Sequence, residues 1–293
     1  MTRRILRASL ALLCSAGLSA GATNLELDAT APFSVGVAGP TVRIGVSELE
    51  FSGSSLAFGL SHRAVELSAG RRLDLSVAGT AGARLSAGYA FVGGARLALS
   101  GNATLGAVAL NVQSALWTTR QREFDPLIES SYEGASTQER GWTFDAAARY
   151  RLQRDLLLLG SGNLGQQPNL AAGLEWRQGE LSLRGGARFG EGVVGAMLGA
   201  TLRREDLTLS VDALVGPLPA VTGSLNYADP LSLPSSLRVY AAYELWRRHV
   251  EPWRVGAELR FEQGPGEWSA DVRGTSRSVA ARLGYRLPLN VEE

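Results

Sequence analysis

Lysine is missing from this 293-residue chain, so all 29 of its basic residues are arginine. Cysteine occurs once, at Cys14, which excludes an intramolecular disulfide as a source of stability. Histidine occurs only at His62 and His249, leaving no His/Cys cluster for a zinc site. A formal net charge of +1 lacks the basic excess that nucleic-acid binding requires. No stretch approaches the ~20 consecutive apolar residues of a membrane-spanning helix. Helical periodicity is absent after Ala22, so the glycines of "SGNLG" and "GPGE" open no helix and form no phosphate loop. Neither a metal nor a cofactor is implied.

What is present begins with an export signal. Arg3, Arg4 and Arg7 precede the short apolar stretch "ASLALLCSAGL" (8–18), and Ala20-Gly21-Ala22 supplies a small-x-small cleavage site. Residues 1–22 therefore read as a cleaved signal peptide, and Cys14 leaves with it. Residues 23–293 read as one domain in which the period is two, with turn residues between segments. In "PWRVGAELRFEQ" (252–263), Trp253, Val255, Ala257, Leu259 and Phe261 share one side of an extended chain, and the other side is charged. From Trp142 onward eleven such segments follow one another, joined mostly by two- to five-residue turns such as "QGE", "GEG" and "RED". Eight candidates precede them: 32–39, 41–47, 55–61, 64–69, 73–79, 83–91, 95–101 and 108–117. Within "VSELEF" the apolar phase switches between Val46 and Leu49, which predicts a bulge or a chain reversal. One long connection, residues 118–141, is polar, charged and aperiodic. Nothing in its residues decides between an outward and an inward fold.

The apolar face has two possible neighbours. In a soluble β-sandwich it packs on a second sheet; in a membrane barrel it meets lipid while the charged face lines the interior. Four features favour the barrel. So many meander strands would expose long edges unless closed, and closure also pairs every backbone group as lipid demands. Trp142, Trp176, Trp253 and Trp268 sit at strand ends on the apolar face, where a girdle of rings reaches the headgroup layer. Many other residues of that face are only Ala, Gly or Val, a poor filling for a sandwich core. The expected fold is all-β: a single transmembrane antiparallel meander barrel with an even strand number of about 16–20.

In this architecture the chain resembles bacterial outer-membrane β-barrel proteins of the porin-like kind. The resemblance covers nearly the whole mature chain and rests on no single motif. It implies residence in the outer membrane, with the lipid bilayer and the barrel-insertion machinery as partners. It also implies a C-terminus in the periplasm and the 118–141 loop outside, which places Trp142 and Trp253 at the outer rim and Trp176 and Trp268 at the inner one. Such proteins usually end on an aromatic residue, whereas this chain ends "YRLPLNVEE", with Tyr285 and Leu287 at outward positions. The residues name no oligomeric state.

Phase assigns the interior wall of the last eleven strands. Its arginines are Arg149, Arg151, Arg177, Arg184, Arg188, Arg203, Arg238, Arg254, Arg260, Arg273, Arg282 and Arg286. Its carboxylates are Asp145, Glu175, Asp212, Glu244, Glu258, Glu262 and Asp271. The functional reading is a water-filled pore for passive diffusion of small hydrophilic solutes, anion-leaning through the arginine excess. The structural reading makes the same residues cross-strand ion pairs that fix register. A closed structural or adhesive barrel and an exported soluble envelope protein are the alternatives. An enzyme is not expected: Ser61–His62 and His249–Glu251 have no recognisable hydrolase spacing. Asp125, Glu129, Glu133 and Glu139 could hold a divalent cation, although their irregular spacing reads better as a solvated loop.

Overall fold

The structure is a computed structural model, and it describes residues 24–32, 39–51, 53–76, 79–231 and 234–289. The expected signal peptide, 1–22, lies outside the described residues. The first seven strands are β1 (Asn24–Pro32), β2 (Thr41–Phe51), β3 (Ser54–Ser61), β4 (Ala64–Asp74), β5 (Gly79–Ala90), β6 (Ala95–Leu105) and β7 (Val108–Trp117). After the long connection come β8 (Gly141–Arg151), β9 (Leu156–Gly165), β10 (Asn169–Gln178), β11 (Leu181–Gly190), β12 (Val193–Arg204) and β13 (Leu207–Val215). The series ends with β14 (Ala220–Ala228), β15 (Ser235–Glu244), β16 (Trp253–Gln263), β17 (Gly266–Thr275) and β18 (Val279–Pro288). Each strand pairs antiparallel with its neighbours in sequence. β1 pairs with β18 as well as β2, so the 18-stranded sheet closes and leaves no edge.

The eleven segments from Trp142 onward are β8–β18, but the N-terminal half corrects two sequence assignments. The first described strand is Asn24–Pro32, not the segment 32–39, whose residues 33–38 lie outside the described residues. Leu25, Leu27 and Ala29 do alternate with Glu26, Asp28 and Thr30. Segment 73–79 is not a strand of its own: Leu73 and Asp74 complete β4 and Gly79 opens β5. Arg71 occupies the apolar phase between Ala69 and Leu73, and that interruption hid the continuation of β4. At "VSELEF" the structure has the bulge. Val46 pairs with Phe58 and Leu49 with Leu56, so β2 carries one extra residue, and Glu48 absorbs it at φ 58°. Leu49 thereby returns to the face of Val46.

The two faces are told apart by what meets them. Val255 is 47% exposed, whereas Arg254 beside it is 0% exposed. A sandwich core would reverse those values. The same phase exposes Leu170, Leu198, Val272 and Leu283 around the sheet. An 11-residue strand such as β16, tilted about 40°, rises roughly 28 Å along the barrel axis, which matches an apolar band about 25 Å tall. At the end carrying connection 118–140, Trp142 and Trp253 are exposed, and Trp253 stacks on Tyr243 at 4.6 Å. At the opposite end, called here the turn end, lie Trp176 and Trp268, the latter 4.7 Å from Tyr285. Trp117 and Trp246 behave differently: both are buried and turn inward.

Candidate functional site: the barrel interior

A circular section of 18 strands at this tilt would be roughly 36 Å across between backbones. Wall side chains do not fill such a barrel; barrels of 16–18 strands leave an aqueous channel. The interior is instead crossed by the 23-residue connection 118–140, which leaves β7 and returns to β8. Phe124 packs on Ala64 of β4 and Ala90 of β5. Asp125 meets Arg282 of β18. The Ser130 carbonyl accepts from the Tyr240 hydroxyl of β15 at 2.6 Å, and the Ser131 and Tyr132 carbonyls accept from Arg254 of β16 at 3.1 Å each. A segment tethered to β7 and β8 reaches β15–β18, the opposite wall, only through the inside.

Sequence explains how the segment turns there. Asp125 accepts from the Leu127 amide at 3.0 Å, making a tight turn around Pro126 that leads into the 3-10 turn Ile128–Ser130. Leu127 is completely buried, which gives the polar loop an apolar anchor. Gly134 has φ 65°, and a Cβ there would strike Val250 and the Arg254 guanidinium. On the wall, Gly256 leaves the space in which the Tyr240 ring lies flat. The ring of Tyr132 then meets Tyr240 edge-on at 5.7 Å, with Arg238 5.4 Å from the Tyr132 ring.

A second inward segment, 245–252, locks the first. Thr137 donates its amide to the His249 carbonyl at 2.8 Å, and the Gln138 amide nitrogen lies 2.9 Å from His249 Nδ1. The Trp117 indole donates to the Gln138 carbonyl at 3.1 Å. Trp246 is buried with Val193, Leu214 and Ala220, and Arg188 lies 4.9 Å over its ring. Arg254 holds both segments. Besides Ser131 and Tyr132 it donates to the Glu251 carbonyl at 2.6 Å and pairs with Glu244, so this buried guanidinium has a partner at every nitrogen.

The assigned wall residues share the phase opposite to the exposed apolar belt, and the structure divides them. Six arginines of β15–β18 have a carboxylate within 4.0 Å: Arg238–Glu133, Arg254–Glu244, Arg260–Glu258, Arg273–Asp271, Arg282–Asp125 and Arg286–Glu26. Arg177 pairs with Glu175, and Arg184 grips Asp212 through two bonds of 3.0 Å. Arg188 donates to Asn169 at 2.6 Å, and Asp145 accepts from Asn163 at 2.6 Å. Among the described residues Arg149, Arg151 and Arg203 have no side-chain partner, and neither has Glu262. Sequence reasoning gave no interior to the N-terminal strands, and so missed Arg43, 3.7 Å from Asp28 and 3.6 Å from Glu66. Their phase carried the signal: Glu66, Ser68, Gly70 and Arg72 alternate with Val65, Leu67 and Ala69.

The loop acids do not gather into a cation site. Asp125 and Glu133 bind wall arginines, Glu139 lies 3.6 Å from Arg120, and among the described residues these acids form no cluster of three or more metal-ligating side chains. The Ser61 hydroxyl accepts from the Arg63 and Ala64 amides at 3.1 and 3.0 Å and is occupied in that turn. Two loop carboxyls are shifted in opposite directions. Burial alone would raise Asp125, but Arg282, the Leu127 amide and Arg273 outweigh it and hold the group below the ordinary carboxylate range. Burial raises Glu129, and the charge of Glu251 adds to the effect against the opposing Arg122 and Arg120.

No protein-family model matches the chain, and no curated protein matches it. Among solved structures it is similar to mutants of the Rhodopseudomonas blastica porin. A five-substitution mutant aligns over 92% of this chain and 99% of its own, at 14% identity and a TM-score of 0.49. A three-substitution mutant aligns over the same shares at 15% identity and a TM-score of 0.48.

Proposed function

We propose that this protein is an outer-membrane pore for passive diffusion of small hydrophilic solutes, leaning towards anions. The reading places the exposed belt in lipid, Trp142 and Trp253 at the outer rim, and Trp176 and Trp268 at the inner one. The 1–22 signal delivers the chain across the inner membrane, and the barrel-insertion machinery places it. One observation carries the proposal: a closed 18-stranded barrel with leucine and valine outside and more than a dozen arginines inside. Arginine facing lipid at midplane would cost about 2–4 kcal/mol, so its phase marks the wet side. The inner segment narrows the channel and selects by size, while the arginine excess sets the preferred sign of charge.

The inward segment also supports a second reading, a structural barrel closed by its own loops. Planar-bilayer recording of the purified full-length protein separates the two. Stepwise conductance is expected, and a silent, correctly folded barrel selects the closed form. Release from membranes by carbonate without detergent would overturn both.

A further inference from the structure

The wall arginines fall into two sectors. From β15 through the closure to β2, each of the seven inward arginines has a carboxylate within 4.0 Å, Arg43 included. From β4 to β12, only Arg177 and Arg184 do. Among the described residues, Arg72, Arg84, Arg96, Arg149, Arg151 and Arg203 have no carboxylate within 4.0 Å and no hydrogen-bond partner, and Arg188 is held by the Asn169 amide oxygen and the Trp246 ring. Five of these, Arg72, Arg84, Arg149, Arg151 and Arg203, are exposed, and the Nε of Arg96 is buried without a partner.

The crossing segment is held chiefly by the first sector. Its wall contacts fall on β15–β18 and, towards the loop end, on β4, β5 and Trp117 of β7, so the passage it leaves open along the second sector is the part nearer the turn end, where Arg72, Arg149, Arg151 and Arg203 are exposed. Resting on the pore reading, we infer that this passage is a track for small oxyanions, solutes carrying a carboxylate or phosphate group. Its gripping points near the turn end are Arg149, Arg151 and Arg203. A guanidinium presents a planar fork of N–H donors that matches two oxygens of either group, whereas chloride offers no such match. Arg84 stands midway along its strand and Arg72, Arg149, Arg151 and Arg203 near the turn end, so successive grips lie along the axis. Several weak sites in series allow an anion both to enter and to leave.

The test uses the full-length protein in planar bilayers, its folding checked by heat-modifiable gel migration. Reversal potentials in a KCl gradient give the ratio of chloride to potassium permeability, and added succinate or inorganic phosphate reads oxyanion block of the chloride current. The wild type is expected to favour chloride and to be blocked by at least one oxyanion. The more effective of the two names the source of the group. R149Q/R151Q/R203Q alters three exposed side chains. It is expected to lower the permeability ratio about three- to tenfold and to abolish block. The charge-neutral double variant E258Q/R260Q, in the paired sector, is expected to change neither. A conducting barrel whose selectivity and block are untouched by the triple variant, or one that neither oxyanion blocks, overturns the inference and leaves the pore standing. A folded but silent barrel removes both.

Discussion

Arg254 and Arg149 are the same residue type on the same face of the same sheet. One is wholly buried, with carbonyls and Glu244 at its nitrogens; the other is exposed with no partner among the described residues. The difference lies in what stands opposite. Arg254 faces the crossing segment and holds it, whereas Arg149 faces open interior. Alternation fixes which way a side chain points, and the partner decides whether it is mortar or surface.

Removing the mortar should have the largest effect. Arg254→Met leaves Glu244 with Arg247 alone and unties Ser131, Tyr132 and Glu251, and breaking a buried ion pair from one side costs up to about 3–5 kcal/mol. Single-channel conductance should rise and become noisy, and the 118–140 segment should become open to protease; an unchanged quiet channel would show that the segment is held elsewhere. Tyr240→Phe removes only the bond to Ser130 and should cost about 0.5–1.5 kcal/mol. It is read as a lower urea midpoint at unchanged selectivity.

Acidification should separate the two loop carboxyls. A raised Glu129 opposes the folded loop at neutral pH, and that penalty fades as pH falls through its elevated pKa. A lowered Asp125 supports the loop above the ordinary carboxylate range, and that support is lost only when pH drops through its depressed pKa. Conductance noise recorded from neutral pH downward should first decrease and then rise sharply. E129Q should erase the first change alone. The smallest effect belongs to the exposed wall: Arg203→Gln should leave stability within about 0.5 kcal/mol, measured by urea unfolding.

Much of the fold was readable because a period of two leaves little freedom once the turns are marked. β8–β18 and the break in phase after Val46 both follow from it. It failed where an exception broke the phase, as Arg71 does in β4, or where a strand lay close behind the expected export signal, as Asn24–Pro32 does. The constriction was not readable. Phe124 and Leu127 sit in an irregular segment, and their partners, Ala64, Ala90 and the strands around Tyr240, come from distant parts of the chain. Trp117 was closer to reach, since its phase in β7 is that of Gln113 and Asn111.

The hydrogen bonds between β1 and β18 join residues such as Leu27 and Tyr285, synthesised at opposite ends of the chain. Until the last strand emerges, a growing sheet carries two bare edges able to recruit any extended neighbour. Closing the ring is therefore the last pairing open to such a chain.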